Sequence, residues 1–187
     1  MVGAGYWGKN HIRTLYELGL LGGIVESDST VLKRFSDQYP EVDIYDNINY
    51  TLQNKKFDGF TIATPAETHY GIAKKIIQSG KHVLVEKPLT LNIEDAAELV
   101  DLARIHNVNI MAGHVLLFHP AIQKIKKLIV NGRIGKLQYI YSNRLNLGQV
   151  RTEENVFWSL APHDIAIFQY FTDSYPETIK ANGVSFI

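Results

Sequence analysis

Short apolar runs alternate with longer amphipathic segments over residues 1–112. Five runs are rich in Val and Ile and bounded by Gly, Asp or Pro, which is typical of buried parallel strands: GGIVES, VDIY, DGFTIAT, KHVLVE and VNIMAG. Between them lie three segments with helical periodicity and end signals, NHIRTLYELG, THYGIAKKIIQSG and NIEDAAELVDLARIHN. This alternation predicts an α/β fold, a doubly wound parallel sheet with right-handed crossovers.

The pattern changes after residue 113. A helical segment, AIQKIKKLIVNG, precedes an alternating segment, KLQYIYSNRLNLG, then a second helix, APHDIAIFQYF, and a strand-like end, IKANGVSFI. Two strands with a helix between them do not form a stable sheet by themselves. We therefore expect one domain over residues 1–113 and the incomplete start of an α/β domain with an open sheet over residues 114–187.

Three glycines near the start, Gly3, Gly5 and Gly8, have the G-x-G-x-x-G spacing of a dinucleotide-binding turn. Such a turn follows a strand, so we expect the chain to begin within that strand. Glycines let a pyrophosphate approach the N–H groups of the following helix, near Tyr6 and Trp7. The spacing by itself also fits an ordinary turn, but with the surrounding strands it predicts a Rossmann domain.

The next predicted strand ends at Glu26, about 20 residues beyond the glycines, the usual position of the ribose-binding acid. A carboxylate there accepts hydrogen bonds from the ribose hydroxyls and repels a 2′-phosphate, so it favours NAD over NADP. Lys33 and Arg34 follow in the next helix and would soften this preference, although a solvated helix face also fits them.

Two further motifs follow predicted strands at the ligand-binding edge of the sheet. In ATPAETHY, Pro65 after Thr64 ends a strand and His69 begins the next helix. In VEKPL, Glu86 and Lys87 come directly after another strand, although an isolated E-K-P triplet is more often a surface turn. We expect all five residues to contact the cofactor, with Lys87 beside the nicotinamide.

Charge and cysteine content exclude several classes of function. Lys and Arg total 19, as do Asp and Glu, so no net field attracts nucleic acid or an anionic membrane. Cysteine is absent, which excludes disulfides and thiolate catalysis. No apolar run has the length of a membrane span and the start lacks a signal-peptide pattern, so we expect a cytoplasmic protein.

Four segments in this order, VGAGYWGKNH, ATPAETH, VLVEKPLTLN and LAPHDIAIF, resemble the Gfo/Idh/MocA oxidoreductase family over essentially the whole chain. The resemblance implies an NAD-dependent dehydrogenase. In that family a Rossmann domain precedes an α/β domain whose open sheet forms the substrate pocket and commonly an oligomer interface. Family members are much longer, so the chain resembles a truncated member, and we expect the full-length form to be a homo-oligomer.

The resemblance assigns Lys87 and His163 to the active site. His163 would accept the substrate hydroxyl proton and Lys87 would stabilise the developing alkoxide. Many members have Asp where this chain has Ser159 and Ala166, whereas Asp164 is retained. A non-catalytic alternative remains, because a Pro-His-Asp triplet also fits the capped start of a helix.

The segments GHVLLFHPA and SNRLNLGQVRTEENVFWSLAPHDI are most similar to the branch that acts on nucleotide-linked sugars. That branch oxidises the 3-hydroxyl of sugars such as UDP-N-acetylglucosamine or its uronate, for cell-surface polysaccharides. The expected substrate contacts are Lys87, Asn143, Arg144, Arg151, Asn155 and His163. The alternatives are a dehydrogenase of a free polyol, inositol or simple sugar, and an NAD-binding fragment without turnover.

We expect no metal site. His114 and His119 could form a metal site with His163, but no carboxylate stands at ligand spacing beside them. His11, His82 and His106 are expected on the surface or on helix faces.

Overall fold

The computed structural model describes residues 1–145 and 155–184, and the chain divides into two compact units, Met1–Gly113 and His114–Ile187. The elements of the first unit are, in chain order, α1 (Gly8–Glu17), β1 (Gly23–Val25), α2 (Ser29–Gln38), β2 (Asp43–Tyr45), α3 (Asn49–Leu52), β3 (Gly59–Ile62), α4 (His69–Gln78), β4 (His82–Glu86), α5 (Ile93–Ile105) and β5 (Ile110–Gly113). The five predicted strands and three predicted helices of this region are confirmed.

All strand pairs of the first unit are parallel, β1 with β2 and β3 with β4 and β5. Val2 joins the two groups because it bridges to both Val25 and Ile62. Its N–H donates to the Thr61 carbonyl at 2.8 Å, and the Val25 N–H donates to the Met1 carbonyl at 2.8 Å. The spatial order is therefore β2, β1, Val2, β3, β4, β5, with the glycine turn leaving the middle of the sheet as a Rossmann fold requires.

The amino terminus is buried within this sheet. The Met1 amino group donates to the Gly23 carbonyl at 2.8 Å. Burial lowers the pKa of this amine to about 5. A cavity of about 440 Å³ is lined by Met1 together with residues of β1, β3 and β4.

Two apolar clusters hold the helices against the strands. One includes Ile62 and Val85 of the strands with Ile76 of α4 and Leu99 of α5, all fully buried. The other is formed by α1, α2 and β1 around Ile12, Ile24 and Phe35. Each such side chain contributes about 1.5–3 kcal/mol by leaving water, so the sheet edge that carries the site is rigidly supported.

The second unit contains α6 (Pro120–Val130) and α7 (Val156–Thr172). Lys126 of α6 pairs with Asp173 at the end of α7, at 2.5 Å. Two strands were expected over KLQYIYSNRLNLG and IKANGVSFI, but residues 136–145 and 179–184 form no strand. A strand needs a hydrogen-bonded neighbour, and the described part of this unit provides none, so these two predictions are wrong for the described residues.

α7 begins earlier than the sequence suggests. The Asn155 side chain accepts from the Trp158 N–H at 3.1 Å and caps the helix, which places Pro162 and His163 inside it. The alternative that His163 belongs to a helix start is therefore wrong. Pro favours the first turn of a helix, so the triplet also fits a helix start, but Pro162 lies in the interior of α7, where it costs one backbone hydrogen bond. Within the described residues, no helix is long and apolar enough to span a membrane.

Candidate cofactor and catalytic site

The glycine turn contains two glycines that the protein itself requires and one that it does not. Gly3 has a φ of +85°, and a Cβ there would lie 2.8 Å from Thr64 Cγ2. A Cβ on Gly8 would lie 1.9 Å from the Gly3 carbonyl oxygen. A Cβ on Gly5 would meet nothing within 4 Å, so the space above Gly5 is open.

That open space fits a bound pyrophosphate. In a dinucleotide-binding turn the second glycine lets the phosphates approach the backbone, and α1 begins three residues later, at Gly8. The partial positive charge at the helix N-terminus favours an anion there. Tyr6 and Trp7 are exposed beside the turn, 78% and 49% respectively, and their contact with the cofactor stays a prediction.

Glu26 follows β1 and connects the glycine turn to α2. One of its carboxylate oxygens accepts from the Ala4 N–H at 2.7 Å, and the other accepts from the N–H groups of Ser27 at 2.7 Å and Asp28 at 3.1 Å. Ser27 Oγ also donates to this second oxygen, at 3.4 Å, so the oxygen bound by Ala4 accepts one hydrogen bond and has capacity for a ribose hydroxyl. The predicted ribose contact is compatible with this arrangement and stays a prediction.

The ends of three strands carry the other predicted cofactor residues. Glu26 follows β1, Thr64 and Pro65 follow β3, and Lys87 follows β4. Because parallel strands end at one edge of a sheet, these residues share the edge with the glycine turn, where ligands bind in such folds. The contacts of Thr64, Pro65 and Lys87 with a cofactor stay predictions.

His69 lies behind this edge and does not line it. Its ring is buried, 1% exposed, with Nδ1 2.8 Å from the Pro88 carbonyl oxygen and Nε2 2.9 Å from the Thr64 carbonyl oxygen. The expectation that the His69 side chain contacts the cofactor is corrected, because both ring nitrogens face protein carbonyls. His69 instead connects the end of β3 to the Lys87–Pro88 peptide, which is cis.

Glu86 is the last residue of β4 and is held by α1. Its Oε1 lies 2.7 Å from Nε2 of His11, and its Oε2 accepts from the Lys87 N–H at 3.2 Å. Burial would raise the pKa of Glu86, but the hydrogen bond and charge of His11, with the N–H and charge of Lys87, together lower it. The carboxylate is thus already engaged by the protein, and its predicted contact with the cofactor stays a prediction.

The contact of His11 with Glu86 was not predicted from the sequence. His11 was expected on the surface or a helix face, but it is half-buried and paired with Glu86. The available signal was its position three residues after Gly8, which places both residues on one face of α1. Which strand that face meets is decided only by the packing of α1.

In the second unit, Arg144 has a different partner from the one expected. Its Nε and Nη2 donate to the two carboxylate oxygens of Asp164 at 2.5 and 3.0 Å, and Ser142 Oγ donates to the same carboxylate at 2.9 Å. The hydrogen bond from Arg144 lowers the pKa of Asp164, against the effect of burial and with help from Ser142 and from the charges of Arg144 and His163. The guanidinium of Arg144 is thus engaged by Asp164 in a bidentate geometry, and its predicted contact with the substrate stays a prediction.

The other residues predicted to contact the substrate lie in different parts of the chain and differ in exposure. Asn155 caps α7, so its side-chain oxygen has a structural role. Asn143 is exposed, and Arg151 lies outside the described residues. His163 is half-exposed within α7. Lys87 belongs to the first unit and His163 to the second, and their convergence on one hydroxyl stays a prediction.

Comparison with known proteins supports the interpretation of the first unit. Residues 1–114 match the family model GFO_IDH_MocA, described as an oxidoreductase family with an NAD-binding Rossmann fold. A curated relative, UDP-N-acetylglucosamine 3-dehydrogenase of Acidithiobacillus ferrooxidans, is 26% identical over 191 residues, which is 99% of this chain and 57% of the relative. The chain therefore spans little more than half the length of that relative.

Two solved structures share the fold. Apo scyllo-inositol dehydrogenase from Lactobacillus casei aligns with a TM-score of 0.76 at 20% identity, covering 91% of this chain and 53% of that one. GenD2 from gentamicin A biosynthesis, in complex with NAD, aligns with a TM-score of 0.79 at 21% identity, covering 91% of this chain and 52% of that one. At these identities the likeness establishes the fold. With the family model and the open turn at Gly5, the cofactor of the first unit is NAD.

Proposed function

The chain belongs to the Gfo/Idh/MocA family of oxidoreductases, and from this we propose that it is an NAD-dependent dehydrogenase that oxidises a hydroxyl carbon of a sugar-like substrate. The observation that carries the proposal is the open space above Gly5 at the sheet edge where Lys87 follows β4. A protein that only needed a tight turn would require glycine at positions 3 and 8 but not at position 5.

In the proposed reaction, His163 and Lys87 both act on the substrate hydroxyl. The neutral imidazole of His163 accepts the hydroxyl proton, while the C–H hydrogen leaves with its electron pair and the carbinol becomes a carbonyl. Bound NAD supplies the hydride acceptor. The Lys87 ammonium donates a hydrogen bond to the same oxygen and stabilises its developing negative charge.

Asp164 is better suited to orienting the site than to proton transfer. Its carboxylate is held ionised by Arg144, which lowers its pKa. A carboxylate held in this way is a poor acceptor for a hydroxyl proton at neutral pH. This supports His163 as the base.

For the substrate, we propose a UDP-linked N-acetylated sugar or its uronate, oxidised at C3. The support is the relative from A. ferrooxidans named UDP-N-acetylglucosamine 3-dehydrogenase. Asn143 and Arg151 remain the candidate contacts for the sugar or its phosphates, since Arg144 is paired with Asp164. A homo-oligomer in the cytoplasm, acting in the synthesis of cell-surface polysaccharide, is part of the same proposal.

One observation favours a smaller substrate. The pairing of Arg144 with Asp164 engages one of the two arginines predicted to contact the sugar or its phosphates. A free polyol, inositol or simple sugar needs no such cation.

A further candidate is an NAD-binding module without turnover. No described residue of the second unit is fully buried, and that unit lacks a paired sheet within residues 114–145 and 155–184.

The test combines calorimetry with NAD and NADH absorbance on the 187-residue protein. The substrates are UDP-N-acetylglucosamine, its uronate, myo-inositol and glucose. We expect NAD to bind and turnover to occur with the UDP sugars. Lys87→Met should reduce kcat about 100-fold or more. The matched control is Lys75→Met, an exposed lysine on α4, which should leave kcat unchanged.

Each other result has a defined meaning. Turnover with myo-inositol or glucose but not with the UDP sugars supports the smaller substrate. NAD binding without turnover of any substrate supports the binding module. Failure to bind NAD overturns the proposed function altogether.

A further inference from the structure

The strand end that carries Lys87 is joined to the helix of the glycine turn by one hydrogen-bonding contact between side chains. Glu86, the residue before Lys87, places Oε1 2.7 Å from Nε2 of His11, the fourth residue of α1. The other oxygen of the same carboxylate accepts the N–H of Lys87 at 3.2 Å. One side chain therefore contacts both α1 and the backbone of the proposed catalytic lysine.

Packing leaves this carboxylate little freedom to move. Its side chain is 14% exposed, and that of His11 is 26% exposed. On the side of β5, a Cβ at Gly113 would lie 3.2 Å from Cα, Cδ and Oε2 of Glu86. The absence of a side chain at Gly113 thus allows the carboxylate to lie against β5, directed at His11.

His11 offsets the free-energy cost of burying the Glu86 carboxylate. A mostly buried carboxylate is costly unless it is paired. The charged groups that face Glu86 are His11, from α1, and Lys87, from its own strand end. A short bond between a carboxylate and an imidazole is charge-assisted, stronger than a neutral hydrogen bond, and holds both groups in a defined orientation.

We propose that His11 is a positioning residue that acts through Glu86: it ties the helix at the pyrophosphate turn to the Lys87 backbone, so that NAD binding and the placement of Lys87 are coupled. This rests on the proposed function, in which the turn binds NAD and Lys87 contacts the reacting oxygen. α1 packs through Ile12 into the core, and His11 adds a polar link from the same helix to the end of β4.

The test compares two variants of His11 with one control variant. His11→Leu keeps an apolar side chain of similar size without a donor, and His11→Gln keeps an N–H that can reach the carboxylate. His106→Leu, at the C-cap of α5, is the matched control. We expect His11→Leu to raise the Kd for NAD and lower kcat, each about tenfold, His11→Gln to recover most of both, and His106→Leu to change neither.

A spectroscopic measurement separates positioning from a general loss of stability. The pKa of the Glu86 carboxyl is followed by ¹³C NMR. Burial raises the pKa of Glu86, and the hydrogen bond and charge of His11 lower it, so the pKa should rise in His11→Leu. The acid limb of the pH–kcat profile should then move to higher pH. In His11→Gln the pKa should stay close to that of the parent protein.

Several outcomes would overturn the proposal. An unchanged Glu86 pKa in His11→Leu would do so, as would a loss of thermal stability with unchanged NAD affinity. If His11→Leu does not fold, His11→Asn, whose shorter amide does not reach Glu86, takes its place. NAD affinity and the Glu86 titration do not require turnover, so they test His11 even if no sugar is oxidised and the proposed reaction fails.

Discussion

Nδ1 of His69 lies 2.8 Å from the carbonyl oxygen of Pro88. The opposite ring nitrogen lies 2.9 Å from the carbonyl oxygen of Thr64, so a single buried imidazole spans the ends of β3 and β4. Carbonyl oxygens only accept hydrogen bonds, so the His69 ring is the donor in this contact, and its position between the two carbonyls fixes its orientation. His69 thus supports the cofactor edge from inside the protein.

We expect His69→Phe to lower the free energy of unfolding by about 1–3 kcal/mol, because a buried carbonyl loses its donor. The measurement is urea unfolding followed by circular dichroism. His106→Phe, at the half-exposed C-cap of α5, is the control and should change the free energy by less than about 0.5 kcal/mol. Equal effects of the two substitutions would contradict a special role for His69.

Two glycine substitutions should separate folding from cofactor binding. Gly5→Ala adds a Cβ into open space, so stability should change by less than about 0.5 kcal/mol, while the Kd for NAD should rise at least about tenfold. Gly3→Ala combines a positive φ with a contact of 2.8 Å, so it should destabilise the protein by about 1–2 kcal/mol or more. Thermal unfolding and NAD calorimetry measure the two effects. Unchanged NAD affinity in a folded Gly5→Ala would contradict the assignment of the turn.

For the 187-residue polypeptide that starts at Met1, the buried amine predicts that stability depends on pH between about 5 and 8. Its pKa is lowered from 8.0 to about 5, so below pH 8 the unfolded chain binds a proton that the folded chain does not, and stability falls as pH falls. The full effect is at most about 4 kcal/mol. Urea unfolding at pH 8 and pH 5.5 measures it.

The control for this prediction is the Nα-acetylated protein, which has no titrating amine. Histidines titrate in the same range in both forms, so the difference between the two pH dependences isolates the amine. Parallel pH dependences of the free and acetylated proteins would show that the Met1 amine does not contribute.

The pair of Arg144 and Asp164 should contribute modestly to stability. Their side chains are 33% and 18% exposed, so solvent screens part of the attraction, and a double-mutant cycle with Arg144→Met and Asp164→Asn should give a coupling of about 1 kcal/mol or less. Because the pKa of Asp164 is lowered, the coupling is present above the usual carboxyl pKa and is lost as pH falls through the lowered value.

A substitution of Arg144 tests whether this residue positions Asp164 or contacts the substrate. Arg144→Lys keeps the charge but loses the bidentate geometry. If Arg144 acts through Asp164, this variant should lower kcat with little change in the KM for the sugar. A rise in KM with unchanged kcat would instead support the prediction that Arg144 contacts the substrate.

The sequence by itself determined the five strands and the helices α1, α4 and α5 of the first unit, the glycine turn and the strand ends that carry Glu26, Thr64 and Lys87. These features are encoded locally: periodicity over a few residues selects strand or helix, and glycine spacing selects the turn. Only the tertiary structure decided which side chains meet across long separations, such as His11 with Glu86 and the two carbonyls facing His69. Residues 75 positions apart become neighbours only through the packing of α1 against the sheet, and no local pattern records which partner a helix face will meet.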